Sequence, residues 1–182
     1  MGSIGKLISI DYFTYIKNMK EKVSLKPIEK AIRSYLESFS IVPEINNCDH
    51  LCYIVKEESK FEEWKKAAPE IGFILREFDG AARNLSNSRF LIIKIKEPLI
   101  FMEYKVSILE IKFTDFPEFE EGWQHAEFIP KDSLETIVTT NPGIPFETGR
   151  INDPDNAEIG VRITKQYSLK FRTDSLENQN WR

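Results

Sequence analysis

The feature that most constrains this chain is a strand–helix–three-strand pattern that occurs twice, with a histidine at the same point of each round. The chain has two histidines in all, His50 and His125. One lies in Asp49-His50-Leu51-Cys52-Tyr53-Ile54-Val55, the other in Trp123-Gln124-His125-Ala126-Glu127-Phe128-Ile129. Both stretches alternate or run apolar as short strands do, and both follow a turn-forming pair, Asn46-Asn47 and Glu121-Gly122. The first round reads as a strand over 49–55, a helix over 60–68 and strands near 73–78, 89–95 and 104–113. The second reads as a strand over 123–129, a helix over 132–139 and strands near 145–151, 158–164 and 167–172. The turns after the two helices also look alike, Pro69-Glu70-Ile71-Gly72-Phe73 and Pro142-Gly143-Ile144-Pro145-Phe146. Two βαβββ units in an α+β fold are the expectation. Imidazole is the commonest protein metal ligand, so paired histidines in a duplicated fold point to a shared metal.

The first 45 residues read as helical. Over 27–39, Ile28, Ile32, Tyr35, Leu36 and Phe39 recur at four- and three-residue steps and build one apolar stripe. Pro27 suits the first helical position, where its missing N–H costs nothing. A weaker helix is expected over 11–19, from Tyr12, Phe13, Tyr15, Ile16 and Met19. The organisation expected is a helical cap over 1–45, a first module over 46–116 and a second over 117–182, forming one domain. With 182 residues and 41% hydrophobic content the chain can bury a sizeable core. A net charge of −4 with no basic stripe argues against a nucleic-acid partner. No apolar run is long enough to span a bilayer, and no secretory leader pattern is present. Two cysteines provide no disulfide framework, so a reduced, cytoplasmic protein is expected, monomeric or paired as a homodimer through an edge strand.

Side-chain parity sorts each strand into two faces. In the first strand Leu51, Tyr53 and Val55 form the apolar set, leaving Cys48, His50, Cys52 and Ile54 opposite. Near the end of the first unit Leu109, Ile111 and Phe113 leave Ile108, Glu110 and Lys112 opposite. In the second unit Ala126 and Phe128 oppose His125, Glu127 and Ile129, and Tyr167, Leu169 and Phe171 oppose Ser168, Lys170 and Arg172. His50, Glu110 and His125 are thereby free to face one concave surface. Cys48, His50 and Cys52 share parity too, but ligands spaced along one extended strand diverge, and both cysteines read as small buried residues. The charge-rich stretch 56–66 reads as a solvated helix face.

Several segments together resemble the vicinal oxygen chelate superfamily, and within it the YecM family of small bacterial proteins. They are Asp49-His50-Leu51, Ser88-Arg89-Phe90-Leu91 with Lys96-Glu97-Pro98, Ser107-Ile108-Leu109-Glu110, Gly122-Trp123-Gln124-His125-Ala126-Glu127 and Leu169-Lys170-Phe171. The resemblance implies two βαβββ modules around a cupped, metal-binding sheet. It implies ligands on the first and last strand of each module: His50 and Glu110 in the first, His125 in the second. The fourth position falls on Lys170, which is no ligand when protonated, so three ligands remain. Glu127 is expected as a partner of His125 or as a substitute ligand. Two imidazoles and a carboxylate suit Zn²⁺, Fe(II), Mn²⁺ or Ni²⁺ with open positions for an oxygen-chelating substrate. Arg89, Lys170 and Arg172, with Lys94, are candidates for holding an anionic metabolite. The activity implied is that of an isomerase, lyase or dioxygenase. The alternative is a non-catalytic small-molecule or protein-binding module that uses the same cupped sheet.

Overall fold

A computed structural model describes residues 24–80 and 88–179. The helix expected over 11–19 lies outside the described residues. The elements in chain order are α1 (Lys26–Leu36), β1 (Ile45–Val55), α2 (Glu58–Ile71), β2 (Gly72–Asp79), β3 (Arg89–Phe101), β4 (Tyr104–Phe113), β5 (Gly122–Pro130), α3 (Leu134–Thr140), β6 (Glu147–Arg150), β7 (Glu158–Arg162) and β8 (Ser168–Arg172). The strands form one eight-stranded sheet in the order β2-β3-β4-β1-β5-β8-β7-β6. The order is symmetric about its centre: β1 pairs in parallel with β4, β5 pairs in parallel with β8, and β1 and β5 join the halves antiparallel. The duplicated α+β architecture expected from the sequence is therefore the one observed.

Each helix covers the same face for a local reason. Ile28 and Ile32, four residues apart on α1, are fully buried, and Phe39 beyond the helix end joins them. On α2, Phe61, Trp64 and Ala68 follow helical spacing into the core. Pro69 falls in the last turn of α2, and the Lys96 ammonium reaches the Pro69 and Glu70 carbonyls at 3.5 and 3.2 Å, satisfying acceptors left free at the helix end. The Ser133 hydroxyl accepts the Thr136 N–H at 3.2 Å and caps α3, a contribution of about 1 kcal/mol. Beneath the helices lie Leu51, Tyr53, Leu91, Ile111, Phe128 and Phe171 in one continuous core.

Cys48 and the post-helical turns depart from the sequence reading. Cys48 does not share a face with His50. The register between β1 and β5 shifts between them, so Cys48 lies opposite Phe128 and packs in the helix-side core, whereas His50 lies opposite Glu127. Asp49 is the extra residue of this bulge. The two post-helical turns also differ. Pro69 is still helical in α2 and Gly72 opens β2, whereas Pro142 and Gly143 form a real turn before β6. Gly72 is required by close approach, since a Cβ there would stand 2.0 Å from the Lys94 carbonyl oxygen of β3.

Candidate metal centre

The sheet face away from the helices carries two transverse rows across β4, β1, β5 and β8. The first is Ile108–His50–Glu127–Lys170, the second Glu110–Cys52–His125–Ser168. His50, His125 and Glu127 come together where the rows meet, each offering a ligand atom within 4.8 Å of the others, and all three are buried. His50 Nε2 lies 3.0 Å from Glu127 Oε2 and 3.4 Å from His125 Nε2. His125 Nε2 lies 3.9 Å from the same carboxylate oxygen.

Each ring is oriented through its other nitrogen by the residue just before it. His50 Nδ1 is 2.9 Å from Asp49 Oδ2, and His125 Nδ1 bonds the Gln124 side-chain oxygen. With Nδ1–H donating to these acceptors, both Nε2 atoms point at the common centre. Asp49 is itself fixed: it accepts the Ser175 hydroxyl at 2.6 Å and the Leu176 N–H at 3.0 Å. Ser175 and Leu176 belong to the segment after β8, and Leu176 packs on Ile92 and Ile108 in a small apolar cluster on the cupped side.

The two imidazoles have opposite tendencies. Burial alone would depress His50, but the Glu127 charge and the hydrogen bonds to Asp49 and Glu127 outweigh it and hold its pKa at about 9. Burial and the nearby Lys170 and His50 charges push His125 well below the usual histidine range, so it is neutral. Glu127 is buried, yet the charges of His50, Lys170 and Arg172 overcome that penalty and keep it ionised. A proton on His50 Nε2 thus fills the gap between two acceptors, which is the role a cation would take. Glu127 Oε1 is buried without a hydrogen-bond partner among the described residues. A buried, ionised carboxylate oxygen with nothing to bind is costly, and two nitrogen lone pairs and a carboxylate around one point fit a divalent ion.

Cations and carboxylates ring this centre. Arg172 is buried, with Nη1 at 3.7 Å from Asp49 and 3.8 Å from Glu127, and Nη2 donating to Asn156 at 2.6 Å. Lys170 points into the cup at 3.4 Å from Glu158. Burial opposes its charge, but Glu158, Glu127 and Glu110 raise its pKa above the ordinary lysine value. Glu110 stands beside Cys52, its register partner on β1, and groups with Cys52 and His125 rather than with His50. Arg89 lies elsewhere: it sits 4.5 Å over the Phe61 ring of α2 and pairs with Glu58, Glu62 and Glu77, away from the cup. Lys94 pairs with Glu177. Asp49 and Gln124 as ring orienters were not singled out from the sequence, although an acceptor immediately before each histidine was a readable signal.

The duplicated βαβββ sheet is the one that the resemblance to the vicinal oxygen chelate superfamily implies. A family model described as YecM protein matches residues 18–178, so the chain belongs to the YecM family. Among solved structures, one titled Protein EC4020 matches with a TM-score of 0.68 and 19% identity, covering 95% of this chain and 96% of that one. A methylmalonyl-CoA epimerase in complex with methylmalonyl-CoA and NH4+ matches with a TM-score of 0.50 and 10% identity, covering 75% of this chain and 99% of that one. A Streptomyces coelicolor methylmalonyl-CoA epimerase variant bound to 2-nitronate-propionyl-CoA gives the same TM-score and identity, again over 75% and 99%. These likenesses are of fold. No curated protein matches the chain. No helix among the described residues is long and apolar enough to cross a membrane.

Proposed function

We propose that this protein binds a divalent metal ion through His50, His125 and Glu127 and uses it to hold a small anionic, oxygen-chelating metabolite. The two imidazoles turned by Asp49 and Gln124 toward Glu127 Oε2 carry the reading, together with the buried Glu127 Oε1, which has no hydrogen-bond partner among the described residues. Glu110, the carboxylate that the family resemblance favours, is held in reserve beside His125 and Cys52. When bound, the metal supplies charge that polarises substrate oxygens, as required of an isomerase, lyase or dioxygenase.

The chain's own residues set what the ligand must be. Asp49, Glu127 and Glu158 lie against protonated His50, Lys170 and Arg172. A divalent ion that displaces the His50 proton raises the charge of the site by one, which favours an anionic ligand. Lys170, about a quarter exposed in the cup, is the residue placed to receive it. The epimerases of like fold are in complex with 2-nitronate-propionyl-CoA and with methylmalonyl-CoA in their structures. Calorimetric titration of chelator-stripped protein tests the reading. Mn²⁺ is expected to bind with proton release, and His125→Ala and Glu127→Gln to weaken binding at least tenfold, the low end of losses seen when a site is disturbed. Unchanged affinity in both variants would refute it. A non-catalytic cup is favoured instead if a small dicarboxylate binds equally well with and without chelator.

A further inference from the structure

The duplication places two sets of side chains in equivalent positions, and only one set is used above. His50 and His125 are equivalents on the first strands, and the residues two further on are Cys52 and Glu127. On the last strands the register partners of these are Glu110 and Lys170. The row Glu127–Lys170 beside His50 therefore has a counterpart, Cys52–Glu110 beside His125, with a thiol in place of the carboxylate and a carboxylate in place of the ammonium. Cys52, Glu110 and His125 each offer a ligand atom, all within 4.8 Å of one another. Cys52 is fully buried beside Glu110 on the cupped face, whereas Cys48 packs within the helix-side core.

We propose that Cys52, Glu110 and His125 form an alternative cation position, which takes His125 from the first and selects a thiophilic divalent ion of the zinc class. Resting on the metal reading above, this assigns its preference among metals. Thiolate and imidazole favour zinc, cobalt or cadmium over manganese, magnesium or calcium, and the Glu110 carboxylate adds the negative charge that its counterpart Lys170 does not. Ion binding forms a metal–sulfur bond as the thiol proton leaves to solvent, with no change of oxidation state.

Cobalt(II) titration of the stripped full-length protein tests the proposal, because thiolate coordination gives an intense near-ultraviolet charge-transfer band that nitrogen and oxygen ligands do not. The band is expected in the wild type, lost in Cys52→Ser and kept in Cys48→Ser. X-ray absorption on the zinc-loaded wild type should show one sulfur at about 2.3 Å and needs no variant to fold. Cobalt bound with visible ligand-field bands but no charge-transfer band, or zinc with only nitrogen and oxygen neighbours, would overturn this inference and leave the first site standing. No cobalt or zinc uptake at all would overturn both.

Discussion

Replacing Glu127 by Gln removes the charge that does most to hold His50 protonated in the metal-free protein. A histidine with its pKa at about 9 against an ordinary 6.5 gains roughly 3 kcal/mol from its surroundings in the protonated form, at 1.36 kcal/mol per unit. A group with a higher pKa in the folded state favours folding only while protonated. The His50 contribution is thus complete below about pH 6.5, fades as pH rises and is gone above about 9. For a chain of this size that corresponds to a fall of about 6–12 °C in melting temperature across the window, at 2–4 °C per kcal/mol. Neutral His125 titrates below this range, where its depressed pKa adds stability with rising pH, so it does not mimic the effect. Thermal unfolding of chelator-treated protein between pH 6.5 and 8.5, below the main titration of unfolded thiols, reads the slope directly. Since Asp49 also supports the His50 charge, Glu127→Gln should at least halve the slope rather than abolish it. Parallel slopes for the wild type and Glu127→Gln would refute the idea that Glu127 holds the proton.

Three further outcomes follow from the same structure. The proton on His50 competes with metal, so apparent manganese affinity should rise about tenfold per pH unit up to about pH 9 and then level off, as read by competition with a fluorescent chelator. Gly72→Ala should lower the denaturant midpoint, because its Cβ would collide with the Lys94 backbone and force β2 away from β3; an unchanged midpoint would mean that the pairing is looser than observed. Phe61→Ala should cost about 3–5 kcal/mol in chemical denaturation, since the ring is fully buried under α2 and also carries the Arg89 guanidinium.

Much of this architecture was legible because it depends on periodicity. The alternation of Leu51, Tyr53 and Val55 against His50 and Cys52 gave the faces of β1, and the repeated strand–helix–strand order gave the duplicated sheet. What was not legible depends on register. Parity places Glu110 and Glu127 on the same cupped face, but only the pairing of strands sets Glu127 opposite His50 and Glu110 beside Cys52. The bulge at Asp49 is invisible to a strict two-residue period, so Cys48 was assigned to the wrong face. Element ends drifted for a similar reason. β3 continues through Pro98 to Phe101 beyond the expected 89–95, while the strand expected over 145–151 shrinks to Glu147–Arg150 behind Pro145, which has no N–H to donate. Arg172 reads from the sequence as a free cation, and only the fold reveals it buried against Asp49, Glu127 and Asn156.

Everything proposed for the site rests on His50, His125 and Glu127 holding one metal ion. Anomalous diffraction from a crystal of the untagged, manganese-loaded protein, with data on both sides of the manganese edge, is the decisive measurement. A peak is expected at coordinating distance from His50 Nε2, His125 Nε2 and a Glu127 carboxylate oxygen. A site left without a peak at full manganese occupancy in solution, or a peak that His125→Ala does not remove, would rule it out.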